Sequence, residues 1–572
     1  MPVSSLFGRG AVPVLLLLLA SCAGQAPPSG GPVDTDPPRI LSAYPAPNTT
    51  FFKDNRIAFE FDEYVDHRSV EGSIFISPFI EHLEYDWSGR EVEILFEDTL
   101  RENTTYVVTV GTDAVDLHNR NRMAQAFTLA FSTGGQIDQG AIAGRVFPLK
   151  PSDSPSGVMI FAYGLSGLNP DTLNPRVVRP EYITQTGKDG DFVLNHLVLQ
   201  PYRLVAVKDE YKNLLYDPET DEFGVPSREP FLSIDDTLQS GFAIRMAKED
   251  TTAPRLVKVT ALNTRLLLAE FSEPLDTATV RPSAFAVTDT TETVSTGLTS
   301  AAILYPGRKE IFLGTEPEDP GHEYRLTVRM VRDETGLVIN PIADAVNFTS
   351  SDSADTTPPV LRGLSPGDST KNLPMEESPA VYFSEPVQRK PWDQVVQLRD
   401  SLDRLVPSKG TWLGDAGIQL KPLVLLQGNS WYRFSVTMTG IQDLAGNTAK
   451  DTTIVVHFRT LDGDQLSSIE GVVSDAASED TLGDIVVEAR NVASGKTESA
   501  TSVRLERPGP FLLDRLLEGR YALDVYRDRN RNGRYDPGTV FPFAPSERFS
   551  VYADTLKLRA RWPLEGVHLE LK

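Results

Sequence analysis

At 572 residues the chain has room for about four or five ordinary domains, so no single core has to hold it together. Apolar residues make up 40%, a globular share, but 42 prolines and 41 glycines among short apolar runs favour turn-rich β structure and argue against a helical protein. A formal net charge of −24 excludes an extended polyanion as partner, so no nucleic acid is expected.

The amino end is a targeting segment, to be set apart from the fold. Arg9 makes a basic start, and the apolar run Ala11 to Ala20 is too short to serve comfortably as a permanent membrane span. It ends in Leu19-Ala20-Ser21-Cys22, and Cys22 is the only cysteine, as an anchor requires and a disulfide does not. This junction resembles the bacterial lipoprotein signal. The resemblance implies cleavage after residue 21 and acylation of Cys22, and two or three chains at about 0.8 kcal/mol per buried CH₂ give a stable membrane attachment. Residues 22–34 form a tether, small, uncharged and rich in proline and glycine from Ala23 to Pro32. Ala23 stands where enteric bacteria place the aspartate that retains lipoproteins in the inner membrane, so the resemblance points to the outer membrane and leaves the leaflet open.

Three proline-led strings then divide the chain: Asp34-Thr35-Asp36-Pro37-Pro38, Asp250-Thr251-Thr252-Ala253-Pro254 and Asp355-Thr356-Thr357-Pro358-Pro359. Proline fixes φ and biases the residue before it toward extended geometry, so each string is a stiff connector feeding an edge strand. Each opens a long repeat, over 35–135, 250–352 and 355–461. An alternating strand carries Ile57, Phe59 and Phe61, then Leu267, Ala269 and Phe271, then Pro379, Val381 and Phe383, and meets an acid two residues on at Glu63, Glu273 and Glu385. A second alternation places Tyr106, Tyr324 and Tyr432 at its head, followed by turns that begin with Asp116, Asp333 and Asp443. From each turn aspartate to the closing Phe131, Phe348 or Phe458 is 15 residues.

These spacings resemble the bacterial Ig-like domains of the SbsA S-layer type, which implies antiparallel sandwiches burying the alternating residues between two sheets. The tyrosines are expected to be buried rings with their hydroxyls bonded to loop backbone. The repeated acids admit two readings, oxygen ligands for calcium between loops or fold-stabilising turn bonds, and repetition in every copy favours the second.

A second kind of repeat opens at Ile142-Ala143-Gly144-Arg145-Val146 and again at Ile469-Glu470-Gly471-Val472-Val473, giving segments 138–247 and 464–572. Phe192, Tyr202, Asp209, Tyr216 and Asp217 recur as Phe511, Tyr521, Asp528, Tyr535 and Asp536, each displaced by 319 residues. The pattern resembles the prealbumin-like or carboxypeptidase-regulatory-like β-sandwich, a module that does not by itself assign an activity. Within it, Asp528, Asn530, Asn532 and Asp536 stand at the first, third, fifth and ninth positions of a loop with Gly533 sixth, a calcium-loop spacing. Thr539 occupies the twelfth position, where such a loop carries a bidentate glutamate, and the other reading is a polar hairpin turn.

No enzyme is expected. His67, His82, His118, His196, His322, His457 and His568 fall in no dense ligand spacing, Ser166 lacks the surroundings of a nucleophile elbow, and Cys22 is committed to lipid. The expectation is an all-β array of tandem Ig-like and prealbumin-like sandwiches, elongated, which end to end would reach on the order of 150–200 Å. Its role would be that of a lipid-anchored envelope scaffold or adhesion stalk, attached to the membrane through its N-terminal lipid and presenting loops to a protein or glycan partner. No cofactor is required, calcium being the one candidate. The alternative is a carbohydrate-binding or enzyme-accessory lipoprotein, with Trp87, Trp412 and Trp431 as sugar platforms.

Overall fold

The alternating segments become strands because each has one face to bury. The computed structural model describes residues 34–571, except 81, 151, 291, 293, 305–306, 478–481 and 493–499. On Arg56–Phe61 the side chains of Ile57, Phe59 and Phe61 point inward, joined by Val92, Ile94 and Phe96 of the neighbouring Glu91–Phe96, while the residues between them reach solvent. Those strands lie at the centre of a sheet ordered Ile40–Tyr44, Arg56–Phe61, Glu91–Phe96, Leu83–Ser88. Across the core stands a second sheet of Ile74–Ser77, Thr105–Val110 and Phe127–Ser132.

The same order is rebuilt twice. Leu256–Asn263, Leu266–Phe271, Glu310–Thr315 and Leu298–Ile303 form one sheet of the second long repeat, and Leu361–Ser365, Ala380–Phe383, Gly417–Pro422 and Ser408–Trp412 form that of the third. Opposite them lie sheets built around Glu323–Val328 and Trp431–Thr437, which bring in Tyr324, Leu326 and Val328, and Tyr432, Phe434 and Val436. Each copy therefore has its own contiguous core.

The other two sandwiches differ in one respect that alternation does not specify. In each, the opening strand pairs antiparallel on one side and parallel on the other: Gly140–Phe147 lies between Asp191–Leu197 and Leu238–Arg245, and Leu466–Asp475 between Gly509–Leu517 and Leu564–Leu571. The central glycine of the opening motif has a packing reason. A Cβ on Gly144 would run into the carbonyl oxygen of Phe242 and the ring of Phe192, and one on Gly471 into those of Val567 and Phe511. Phe192 and Phe511, a displaced pair of the sequence, thus occupy equivalent packing positions.

The architecture is the tandem all-β array expected, with one departure from an elongated string. The second and fifth sandwiches are neighbours in space. Arg245 of the second reaches Asp524 of the fifth at 3.1 Å and lies over the rings of Tyr535 and Phe549, 4.7 and 4.4 Å from their centroids. Arg203 lies 3.8 Å over the ring of Phe543, Phe147 meets Phe549 edge-on at 5.3 Å, and Val540 joins a cluster with Phe161 and Val225. The third and fourth sandwiches connect these two along the chain, so the array folds back and closes a loop. Chain order decides which sandwiches are linked; which ones touch is decided by isolated side chains that carry no periodic signature.

The first sandwich packs directly on the second. Thr112 Oγ1 donates to Thr186 O at 3.0 Å, Asp113 N donates to Gln185 Oε1 at 3.2 Å, and Phe75 and Val107 enter the clusters of the second sandwich. Among the described residues no helix is long and apolar enough to cross a membrane.

Candidate functional site

The repeated polar residues collect where each long repeat begins. After the inner strand of each copy the turn aspartate makes an isolated bridge to the residue two beyond the repeated glutamate: Asp116 with Val65, Asp333 with Leu275, Asp443 with Val387. In the first copy Asp116 accepts four backbone N–H groups, from His118, Asn119, Arg120 and Asn121. In the second, Asp333 Oδ1 accepts from Thr335, Gly336 and Leu337 at 2.8, 2.7 and 2.9 Å; in the third, Asp443 Oδ1 accepts from Asn447 N at 2.8 Å. Burial pushes the Asp116 carboxyl up, but the N–H donors prevail and hold it below the ordinary range. These aspartates fix the turns, as the second of the two sequence readings has it.

The tyrosines do the same for the opposite end. Tyr106, Tyr324 and Tyr432 accept at their hydroxyls from the backbone N–H five residues earlier, of Arg101, Asp319 and Gln427, at 2.8, 2.9 and 2.7 Å. Their rings stack on Phe131, Phe348 and Phe458 with centroids 5.6, 5.8 and 5.7 Å apart. The fixed distance from turn to closing phenylalanine is the register of that stack.

The glutamates have no such turn to fix. Glu273 and Glu385 instead face the turn aspartate of their own copy and the first aspartate of the proline-led string. Carboxylate oxygens of Asp250, Glu273 and Asp333 lie within 4.8 Å of one another, and so do those of Asp355, Glu385 and Asp443. Burial first, and then the neighbouring Asp355 and Asp443, push Glu385 up to about 7. Glu273 is raised by burial and by Asp250 and Asp333, and Glu63 by burial, Asp116 and Asp34. Reading the string only as a stiff link leaves the connector aspartates out of the site. The signal was present, since aspartate heads all three strings.

The copies differ in what neutralises the group. In the third, the Asn447 amide donates to Asp443 Oδ2 at 2.8 Å, to Asp355 Oδ1 at 3.3 Å and to Asp355 O at 3.1 Å, while Asn263 Nδ2 donates to Asp355 Oδ2 at 2.8 Å. In the first, Asn121 Nδ2 donates to Asp34 O at 3.1 Å. The second copy has Leu337 at this place, and there Asp333 Oδ2 and Glu273 Oε1 are buried without a hydrogen-bond partner. Beside the third cluster, between the second and third long repeats, lies a cavity of about 300 Å³ lined by Asn263, Arg265, Asp355, Glu385 and Leu444.

The calcium-loop residues are brought together in one hairpin turn that largely satisfies itself. Asp528 is fully buried; its Oδ1 accepts from Asn532 N at 3.0 Å and its Oδ2 from Gly533 N at 2.8 Å, with Arg504 at 3.4 Å. The amides of Asn530 and Asn532 both donate to Asp536, at 2.6 and 3.2 Å. Asp209, its counterpart, binds Leu214 N at 2.8 Å in the same manner. Cys22, the predicted lipid site, lies outside the described residues.

Of the tryptophans, Trp87 stacks on His67 at 3.9 Å and donates to Glu71 Oε1 at 2.9 Å, and Trp412 packs beside Phe383 and donates to Lys390 O at 3.2 Å. Trp431 alone of the three is an open face, 38% exposed.

This is a multidomain protein of tandem Ig-like β-sandwiches, defined by the recurring sheet order, the tyrosine–phenylalanine stack and the aspartate turn. Residues 34–133 and 355–460, its first and third long repeats, match the family described as bacterial Ig-like domain. The second long repeat has the same sheet order as these two. No curated protein matches the chain. Among solved structures, it is similar to the N-terminal part of the bacterial S-layer protein SbsC, at 13% identity over 36% of this chain and 44% of that one, with a TM-score of 0.17. It is similar to SbsC domains 1–6 at 12% identity over 93% and 68%, TM-score 0.16, and to an L,D-transpeptidase from Mycobacterium tuberculosis H37Rv at 15% identity over 20% and 43%, TM-score 0.14. The chain thus spans less than half the length of the first and last of these.

Proposed function

We propose that the chain is a non-enzymatic cell-envelope protein, lipid-anchored through Cys22 at the outer membrane, whose sandwiches serve as a scaffold or adhesion platform for another envelope component. The observation that carries this reading is the use made of the repeated polar residues. Asp116, Asp333 and Asp443 fix turns, and the three tyrosines fix loops. Residues that a sequence repeats and spends on rigidity point to a mechanical task. The loop closed by Arg245 and Asp524 favours a braced platform over a free stalk.

The supporting experiment is membrane fractionation with metabolic acyl labelling in a bacterial host. Label and membrane association are expected for the native chain and lost in Cys22→Ala. A native protein that stays soluble and unlabelled refutes the anchor. Crosslinking and co-purification from those membranes then identify the partner. The carbohydrate reading rests on Trp431, since Trp87 and Trp412 are engaged in packing, and glycan binding lost on Trp431→Ala would favour it.

A further inference from the structure

Asp250, Glu273 and Asp333 meet where the second sandwich hands over to the third. Asp333 is only 2% exposed. One of its oxygens is consumed by the turn, and the other, Oδ2, has no hydrogen-bond partner; neither has Glu273 Oε1. The Ser272 hydroxyl and the Lys309 charge ease Glu273 in part, but no nearby donor reaches Asp333 Oδ2 or Glu273 Oε1. Thr335 Oγ1 lies 2.8 Å from Asp333 Oδ1 and 3.4 Å from Asp250 Oδ2, and the Lys309 ammonium donates to Ser272 O at 3.0 Å. A buried carboxylate oxygen facing two others is costly without a counter-charge.

The third long repeat shows what the second lacks. There the Asn447 amide stands between Asp355 and Asp443 and supplies the hydrogens; in the second its place is taken by Leu337, which supplies none. We propose that Asp250, Glu273 and Asp333 bind a calcium ion, which fills the role of the missing amide and ties the connector to the third sandwich. The ligands are hard oxygens. Three carboxylate oxygens within 4.8 Å of one another can share one ion, and a site built from protein carboxylates is what calcium takes, at about 2.3–2.6 Å, where magnesium usually keeps several of its waters. Solvent access through exposed Asp250 leaves room for water ligands and places the affinity in the class of extracellular modules, with Kd roughly 10⁻⁴–10⁻³ M. This inference stands apart from the anchoring and scaffold reading.

The test is titration of chelator-stripped full-length protein with calcium chloride, followed by calorimetry and thermal melting. Saturable binding and a raised melting temperature are expected. Glu273→Gln and Asp250→Asn should each weaken binding by ~10-fold or more. Asp333 also fixes a turn, so it is left intact. Two further variants follow from the comparison of copies. Leu337→Asn should supply the amide and abolish calcium dependence, and Asn447→Leu should add one binding equivalent. Absence of binding at ~10 mM, about tenfold above the weak end of the range for such modules, would mean the carboxylates share a proton and would overturn the proposal. Binding that survives Glu273→Gln, or that is lost instead on Asp536→Asn, would equally overturn it, the latter by placing the ion in the hairpin loop.

Discussion

Replacing Arg245 with alanine should loosen the closed loop of sandwiches. The Arg245 side chain is 17% exposed, and burial lowers its pKa, so its charge is held against a desolvation cost. Asp524 does not become an orphan when Arg245 is removed, because Arg490 of its own sandwich also pairs with it. The charge pair therefore contributes little to the net loss. What disappears is the contact with two aromatic faces at 4.7 and 4.4 Å. At about 1 kcal/mol for each partly desolvated cation–π contact, with the lost packing of the side-chain stem, the cost is about 2–3 kcal/mol. That is roughly a 30- to 150-fold shift of the closed-to-open ratio.

Phe543→Ala removes the ring under Arg203 and should add a comparable loss. Small-angle scattering of the native chain should then report a closed particle, and the Arg245→Ala/Phe543→Ala double variant a larger radius of gyration together with earlier urea unfolding. As a control, Arg515→Ala breaks the exposed pair with Glu376 and should cost less than about 1 kcal/mol. A native chain that scatters as an open string, or a double variant that matches it in both scattering and urea midpoint, would refute the closed loop.

Three further outcomes follow. Tyr432→Phe leaves Gln427 N without its acceptor and should destabilise the third long repeat by about 1–3 kcal/mol in urea, whereas Trp431→Phe on the outer face should be nearly silent. Gly471→Ala forces a methyl between the Val567 carbonyl and the Phe511 ring and should cost about 1–3 kcal/mol or more, read as an early transition confined to the fifth sandwich; an unchanged melt would disprove the packing role of the opening motif. Glu318, almost wholly buried with both carboxylate oxygens unpartnered, is pushed by burial from the ordinary 4.5 up to about 7. Its contribution to stability is fully present below about pH 4.5 and is lost as pH rises through about 7, because the unfolded chain releases the proton first. Native stability should fall over that window, and Glu318→Gln should remove up to about 3 kcal/mol of the fall, measured by urea midpoints in chelator. A fall of the same size in the variant would assign it to Glu385 and Glu547, which are raised to the same range.

What the sequence made legible and what it concealed divide along the range of the interaction. Ile57, Phe59 and Phe61 could be placed inside because strand geometry gives every second residue one face, and Tyr432 could be assigned its loop because ring and hydroxyl lie within a few residues of what they touch. The parallel closing strand Leu564–Leu571 has the same alternation as an antiparallel one, so its direction was not legible. Arg245 and Asp524 meet across whole sandwiches and leave no trace in a single sequence, while Asp250 and Glu273 meet across turns and leave only the aspartate that heads each string. Yet the repeats themselves supply a partial remedy. Three copies of one fold are three solutions to the same junction, and a position that carries asparagine in two of them and leucine in the third marks where the local chemistry has changed. Since the backbone N–H bonds of the turn are kept in all three, the change at Leu337 is confined to the side chain, and a difference in ligand, not in fold, is what it can produce.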